Sequence, residues 1–563
     1  TPKILVEAIL KQVIDYFPEN FKSRPRSILD PAIGKGVFFL SLIPIISSFI
    51  TEAKLYGIDI DSSLIKIAQK NLHNIIERNS YEIKLKRADF FQKFPEDLPR
   101  KFDVIIGNPP HNALYSEHEW RQIRKLSEFS SYNRIYSESS VFFTFKSLPL
   151  LKTGGILCFL LPKPIIYSKR WSEFRKILLT QYNLIEILDL GNQFSGQLQE
   201  QCAIIVKREK VKTKNQEYKT GIWNSTENEF GQISSISKVD ALKADNFLVG
   251  VSYPELKIIR RLYSNEYEFL KVYAFRGLSS KYRVKKGAVP LIEKSTISSG
   301  FLYPVRSFLN EDTPIEKLKR LQTPKIIAQR IISYKTKPKF KLKIRTLVDQ
   351  EGVFITHETV INIVPNYSQE NLSLSAVAGL LESSLIAWWL QHAVYTKEFV
   401  TSKDFDKAYI NSIRIPRIRG SKSIDYRKKF VKLLENNNFD EIMIKVRNQS
   451  IIDQLHSLGE IYLKYQDVGG KIKVLLHKMM NENVMTEFSN MKPNFWNLKR
   501  LYQHLTLVHL NSKTSPVQDA HYTEFMIRFS EFKTLNTFMN NLVSLIYKLT
   551  PFEEKIINQN EKN

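Results

Sequence analysis

Lys101-Phe-Asp-Val-Ile-Ile-Gly-Asn-Pro-Pro-His111 is the stretch on which the reading of this chain turns. Its apolar run, Val104-Ile105-Ile106, has the character of a strand buried on both faces of a parallel sheet. The run stops at Gly107, and the amide of Asn108 then stands beside two prolines. In an open α/β sheet, ligands gather beyond the carboxyl ends of the strands, where Asn108 would lie. Pro109 and Pro110 each fix φ and remove an N–H donor. That leaves the carbonyls of Asn108 and Pro109 as candidate acceptors for an amino group. An Asn-Pro pair also commonly opens a turn, so taken alone the stretch is equally a strand-to-loop stop.

The neighbouring sequence shifts that balance. From Thr1 to Glu209 strand and helix patterns alternate. Ile4–Tyr16 reads as an amphipathic helix. Ser27-Ile-Leu-Asp-Pro-Ala-Ile-Gly-Lys-Gly36 reads as a strand and a glycine turn entering a helix over Val37–Ser48. Gly34 and Gly36 permit tight turning and close approach of backbone to a ligand, in a spacing that is neither G-x-G-x-x-G nor a phosphate-binding P-loop. A second strand, Lys54–Ile58, ends at Asp59-Ile60-Asp61. Asp59 lies about 20 residues beyond the turn, where doubly wound folds bind ribose hydroxyls, while Asp61 before Ser62-Ser63 reads as a helix N-cap. Arg87-Ala-Asp89-Phe90-Phe91 places a further carboxylate at a strand end, with aromatic surface able to cover an adenine ring. A helix over Ser140–Leu151 and strands over Ile156–Leu161, Leu184–Leu190 and Cys202–Val206 continue the pattern. Between them, Ala113–Tyr136 carries Arg121, Arg124, Lys125 and Arg134, and reads as a loop beside the site or an ordinary solvated one.

Asp30-Pro-Ala-Ile-Gly-Lys-Gly36, Asp59, Asp89-Phe90 and Asn108-Pro-Pro-His111, in that order, resemble S-adenosylmethionine-dependent methyltransferases that act on exocyclic amino groups. The resemblance is strongest to the gamma group of DNA N6-adenine methyltransferases of bacterial restriction–modification systems. It implies an α/β, Rossmann-like catalytic domain with a mostly parallel sheet over residues 1–209 and a linker over 210–239. An α+β target-recognition domain over 240–420 and a helical C-terminal domain over 421–563 would follow. It also implies a cofactor, S-adenosylmethionine, with Thr1 near it and Asp30, Ala32, Gly34 and Gly36 around its methionine part. Asp59 with Ile60 would meet the ribose, Asp89 with Phe90 the adenine, and Asn108 would border the same pocket.

The resemblance assigns the chemistry to the turn itself. The Asn108 side-chain carbonyl and the Pro109 backbone carbonyl would accept hydrogen bonds from the target N6 amino group, with Pro110 keeping the turn rigid. This would expose the nitrogen lone pair by positioning and electrostatics alone, on a base flipped out of the duplex. The fourth position usually holds Tyr, Phe or Trp, which stacks on the flipped base, and here it is His111. A neutral imidazole can still stack, so His111→Tyr is expected to stay active and His111→Ala to lose much activity. Phe194 would stack on the other face.

Composition points the same way. The chain has 563 residues, 43% of them hydrophobic, which is a globular composition of two to four domains, and its net charge of +26 calls for a polyanionic partner. Cys158 and Cys202 both lie in apolar runs, so neither a disulfide framework nor a thiolate metal site is expected, and no metal is. The longest apolar run, Val37–Ile50, is broken by Ser41, Pro44, Ser47 and Ser48, so no membrane span is expected. The chain starts at Thr1 without a methionine, so a short preceding piece is expected.

Basic residues concentrate further on. Arg276, Lys281, Arg283, Lys285 and Lys286 lie among Gly, Ser and aromatic residues. Lys317 to Arg345 holds eleven basic residues and no acidic one, including Lys325, Arg330, Lys335 and Lys337, which reads as a phosphate-binding ribbon. Double-stranded DNA is the expected partner. Leu372–Tyr395 reads as a helix whose Trp388-Trp389 pack in a core. Helices are expected over Tyr426–Leu434, Ile451–Tyr465, Val474–Asn481, Phe495–Leu510 and Phe525–Leu549. No Pro-Asp…Asp/Glu-x-Lys nuclease constellation occurs in the C-terminal half, so methylation without cleavage is expected. A separate cognate endonuclease, a monomer and a bacterial cytoplasmic location complete the expectation. Two readings compete with it: a methyltransferase acting on RNA or protein glutamine, and a non-catalytic DNA-binding scaffold, hinted at by His111. Cytosine N4 enzymes share related motifs.

Overall fold

β4 (Phe102–Gly107) is buried along all six residues, and its place in the sheet explains why. The strands β1 (Arg26–Asp30), β2 (Ala53–Asp59), β3 (Tyr81–Arg87), β4, β5 (Leu151–Pro162), β6 (Asn183–Gly191), β7 (Gln201–Lys207), β8 (Glu217–Asn224) and β9 (Glu229–Ser237) form one sheet. Their order is β3-β2-β1-β4-β5-β7-β6-β8-β9. Pairing is parallel from β3 through β5, whereas β7 runs antiparallel to both β5 and β6. The sheet is the mostly parallel α/β sheet expected from the sequence. The computed structural model describes residues 2–17, 26–50, 52–76, 81–91, 94–111, 138–193, 199–209, 216–298, 301–302, 305, 307–335, 340–366, 372–399, 401–418, 423–481 and 516–562.

Helical periodicity supplies the covering layers. α1 (Lys3–Asp15) buries Leu5, Val6, Ile9, Leu10 and Val13, a single stripe, in one core with α2 (Val37–Ile46) and strands β1, β2 and β4. α2 starts at Gly36, whose φ of 83° is a left-handed conformation suited to glycine. α3 (Ser62–Ile76) follows β2. Asp61 caps it, Oδ1 accepting from Ser63 N at 2.7 Å.

The chain steps outward from β1 to β2 and β3, then returns to the other side of β1 for β4. The order therefore reverses between β1 and β4, which is where an open α/β sheet forms its binding crevice. At the opposite end the same strands are pinned by one carboxylate. Asp103 Oδ2 accepts from Ser27 N at 2.9 Å and Lys152 Nζ at 2.7 Å, while Oδ1 faces Arg26 at 3.5 Å. Burial alone would raise the Asp103 carboxyl, but Lys152 and Ser27 hold it below its ordinary value.

The chain divides into two units, Thr1–Leu256 with His392–Thr401, and Lys257–Gln391 with Ser402–Asn563. The division differs from the expected one. Within the stretch expected as a linker, β8 and β9 extend the sheet, because Tyr218, Thr220 and Trp223 turn inward from a Lys-rich sequence. The expected border near residue 420 also falls inside the second unit. There β10 (Val272–Arg276), β11 (Lys325–Gln329), β12 (Thr346–Asp349) and β13 (Val360–Pro365) form an antiparallel sheet in the order β10-β13-β11-β12.

A long helix, α4 (Ile451–Asn481), closes on the β12 edge of that sheet. Gln466 brackets Val348, accepting from its N–H at 2.9 Å and donating to its carbonyl at 3.0 Å. A side-chain amide thus satisfies an edge that would otherwise be open to pairing. The helix replaces the two expected over Ile451–Tyr465 and Val474–Asn481, since Gly469-Gly470 do not interrupt it between buried Val468 and Ile472. Further helices span Ile424–Glu435, Phe439–Arg447, Pro516–Ile546 and Pro551–Lys562; the expected Phe495–Leu510 helix lies outside the described residues. Leu374–Glu382 and Ser384–Trp389 replace one longer helix, and Trp388 and Trp389 are core residues as expected.

Candidate active site

The carboxyl ends of β1, β2 and β4 bring the first group of residues together. Asp30 ends β1 and is buried; its Oδ1 accepts from Ala32 N at 3.1 Å, and its Oδ2 is buried with no hydrogen-bond partner among the described residues. Burial, and next the charge of Asp59, push its carboxyl up to about 8. Asp59 ends β2 and braces the glycine turn, Oδ2 accepting from Gly34 N at 2.8 Å and Oδ1 from Asp61 N at 3.0 Å. A Cβ added at Gly34 would meet nothing within 4 Å, so the turn faces open space. Beside it Ile60 is 61% exposed, an apolar side chain left uncovered at the strand end. Gly107 ends β4 next to Asp30: a Cβ there would stand 2.6 Å from Asp30 Oδ1.

After β3, Asp89 Oδ1 accepts from Phe91 N at 2.9 Å. The aromatic surface expected here is differently used. Phe90 is 2% exposed and stacks on Phe143 with ring centroids 5.0 Å apart, so its ring belongs to a phenylalanine cluster with Phe91 and Phe94. Thr1, Phe194 and the loop Ala113–Tyr136 lie outside the described residues.

Asn108, Pro109, Pro110 and His111 leave the end of β4, with Pro109 buried and the other three partly or fully exposed. The turn is held from α5 (Ser139–Ser147), where the Ser139 hydroxyl donates to the Pro110 carbonyl. Glu138, which caps α5, and Gln201, the first residue of β7, both face the His111 ring. Burial alone would raise the Glu138 carboxyl, but the His111 ring and Ser140 hold it below the ordinary carboxylate range. Next to Gln201, Glu200 Oε1 accepts from buried Lys163 at 3.0 Å and its Oε2 from Thr401 at 2.7 Å. Lys163 also meets Asp189 Oδ2 at 2.8 Å and the Glu398 carbonyl at 2.6 Å. Burial would lower the Lys163 ammonium, and the two carboxylates outweigh it. Neither Lys163 nor Glu200 stood out in the sequence; a lysine inside an apolar segment, Leu160-Leu-Pro-Lys163-Pro-Ile-Ile166, was the available signal.

Four carboxyl strand ends around an Asn-Pro-Pro turn are thus on one edge of a mostly parallel sheet. Residues 43–195 match the Eco57I restriction-modification methylase family. The chain is 25% identical over 209 residues to the type II methyltransferase M.VspI of Vibrio sp. (strain 343), covering 37% of this chain and 47% of that one. It is 29% identical over 215 residues to the type II methyltransferase M.BanIII of Aneurinibacillus aneurinilyticus, covering 35% and 36%. The matched part of the chain therefore spans less than half the length of either relative. A release factor glutamine methyltransferase of Haemophilus influenzae is 29% identical over 123 residues, covering 21% of this chain and 38% of that one. The methylase match thus runs from the end of α2 through β6, with the Asn108–His111 turn inside it.

The second unit sorts the basic residues expected to meet DNA. Arg276 and Lys281 are exposed, and Arg283 is exposed while paired with Glu293 at 2.7 Å. Arg330 faces Asp404 at 3.5 Å. Lys325 is fully buried on β11, bonded to Asp349 Oδ2 at 2.6 Å and the Leu321 carbonyl at 2.6 Å. It is a core residue and cannot reach a phosphate, which corrects the sequence expectation. Lys325→Ala should destabilise the protein by about 3 kcal/mol by leaving Asp349 buried alone, readable in chemical denaturation. Of Lys335 only the backbone, in the strand Ser333–Lys335, is described, and Lys337 lies outside the described residues. The structure adds that three of these cations gather on aromatic rings. Lys281 and Lys317 stand 4.8 Å and 5.2 Å from the Tyr282 ring, and Arg320 stands 4.0 Å from Phe275.

Proposed function

We propose that the chain is an S-adenosylmethionine-dependent DNA methyltransferase acting on the N6 amino group of adenine within a sequence-specific site. The observation that carries this reading is the Asn108-Pro109-Pro110 turn, which leaves the central strand β4 beside buried Asp30, at the point where strand order reverses. The residues present fit the cofactor. Asp30 Oδ2 is a buried acceptor without a partner among the described residues, suited to a cationic methionine part, and the open space over Gly34 admits close approach. Asp59 with Ile60 would hold the ribose, and Asp89 the adenine. Phe90 would contribute backbone rather than ring, since its ring is already packed. When bound, S-adenosylmethionine supplies an electrophilic methyl group on a sulfonium centre.

The work left to the protein is positioning. The Asn108 side-chain carbonyl and the Pro109 carbonyl accept from the target amino group, and their rigidity spares reorganisation at the moment of reaction. A flipped adenine would stack on His111, with Phe194 on its other face. Exposed Arg276, Lys281, Arg283, Lys317 and Arg320 would contact phosphates of double-stranded DNA. Lys281→Ala and Arg276→Ala should each reduce the salt dependence of DNA binding by about one unit of slope, whereas Lys325→Met should leave the slope unchanged. Fluorescence anisotropy across a salt series measures both.

A second reading, transfer to a protein glutamine, rests on the likeness to the Haemophilus enzyme. Both chemistries methylate an exocyclic or amide nitrogen, so the turn alone does not choose between them; the net charge of +26 favours DNA. Incubating the purified chain with methyl-labelled S-adenosylmethionine, plasmid DNA and protein lysate tests the choice. N6-methyladenine in the hydrolysed DNA is the expected product. N4-methylcytosine would change the base, and label confined to protein would select the second reading. DNA should stay uncut with Mg²⁺, cleavage being left to a separate endonuclease of the same system.

A further inference from the structure

A ring that stacks by its face has to be held by its edge, and the edge of His111 is polar. Its Nε2 lies 3.1 Å from Gln201 Nε2, and its Nδ1 faces Glu138 Oε1 at 3.8 Å with no other partner among the described residues. Both partners are buried, at 1% and 7% exposure, so solvent does not compete for the ring. The two contacts select one protonation form. A carboxylate facing Nδ1 is best met by a proton on Nδ1, and a neutral imidazole protonated there offers a lone pair on Nε2. The Gln201 amide nitrogen is a donor to that lone pair.

Each partner is itself fixed. Glu138 Oε1 accepts from the Ser140 hydroxyl at 2.8 Å at the start of α5. Gln201 opens β7, paired in register with Pro162 of β5 and Gly191 of β6, and its neighbour Glu200 is locked by Lys163 and Thr401. The ring edge is therefore held from two separate elements, a helix cap and a sheet strand. We infer that Glu138 and Gln201 are positioning residues that hold His111 as the neutral Nδ1–H imidazole, with its edge clamped and its face presented to the target base. This deepens the methyl-transfer reading and rests on it for its catalytic purpose. Gln201 Oε1 is buried without a partner among the described residues, so a protonated His111 would require the amide to turn over and present Oε1 to Nε2 instead.

The test is the tautomer of His111 in the full-length chain labelled with ¹⁵N-histidine, its signals identified by their loss in His111→Phe. The expected spectrum shows a single form with the proton on Nδ1. Glu138→Gln, which keeps an acceptor, should preserve that form. Gln201→Leu, which removes the donor, should give a mixture with the Nε2–H form. In parallel, Gln201→Leu should lower kcat for methyl transfer by about 10-fold with cofactor affinity unchanged, as a misplaced group does. In a His111→Ala background it should cost nothing further, because it acts only through the ring. A proton on Nε2 in the wild-type chain, a tautomer indifferent to Gln201→Leu, or an equal kcat loss in both backgrounds would each overturn the proposal. A wild-type chain that transfers no methyl to DNA would sink the methyltransferase reading instead, and the NMR result would still decide the clamp.

Discussion

Asn108→Ala is expected to reduce methyl transfer to DNA by about 10³-fold while leaving S-adenosylmethionine binding nearly unchanged. The size follows from what the substitution removes. In a site whose catalysis is positioning, deleting one pre-aligned hydrogen-bonding group costs about 10²- to 10³-fold in kcat. Here that group is one of only two acceptors assigned to the amino nitrogen. Its placement is inherited from β4, whose six buried residues fix where the chain emerges. Two prolines and the Ser139 bond to the Pro110 carbonyl then fix how the turn continues. The Pro109 carbonyl survives the substitution, so residual activity above the uncatalysed level should remain. Asn108→Asp keeps an acceptor of the same reach and should fall less far. Single-turnover methyl transfer, with cofactor titration alongside, separates the two effects. Activity of Asn108→Ala within about 10-fold of wild type would mean that the amide is not the acceptor.

What the sequence disclosed and what it hid follow from the range of the interactions involved. The apolar run Val104–Ile106, the glycine turn after Asp30 and the cap at Asp61 are local signals, and each appears where local chemistry puts it. β8 was hidden because Lys219 and its Lys- and Thr-rich surroundings look like a linker, although Tyr218 and Thr220 alternate with exposed neighbours as a strand must. Lys325 misled for a long-range reason. The run from Lys317 to Arg345 contains no acid, and the Asp349 that neutralises Lys325 arrives from the adjacent strand β12. Phe90 misled likewise, because Phe143, which covers its ring, lies far along the chain. His111 was visible as a departure from the usual aromatic residue, but not its setting: Gln201 is 90 residues away. That setting also changes what His111→Tyr is expected to do. A phenol would keep a stacking face yet strip Gln201 and Glu138 of the ring nitrogens they now hold.

Asp30→Asn is expected to weaken S-adenosylmethionine binding by about 10- to 100-fold, the range of one buried hydrogen bond to a charged group, and to remove a proton that binding otherwise releases. Asp30 is buried, and its carboxyl is raised from 3.8 to about 8, first by burial and then by Asp59. Near neutral pH the free protein therefore holds it mainly as the acid. A cationic methionine part placed at Oδ2 favours the carboxylate, so binding should drive the proton off to the buffer. Titration calorimetry in buffers of different ionisation enthalpy measures that release, which Asn cannot make. The same shift sets the sign for the free protein. Because the folded value exceeds the unfolded one, the contribution of Asp30 to stability is complete below the unfolded value of 3.8 and is lost as pH rises through about 8. Melting temperatures of the free chain should therefore carry a downward slope over that window, which Asp30→Asn flattens and bound cofactor opposes. A binding enthalpy indifferent to buffer would show that the Asp30 proton stays in place, and would move the cationic end of the cofactor elsewhere along this edge of the sheet.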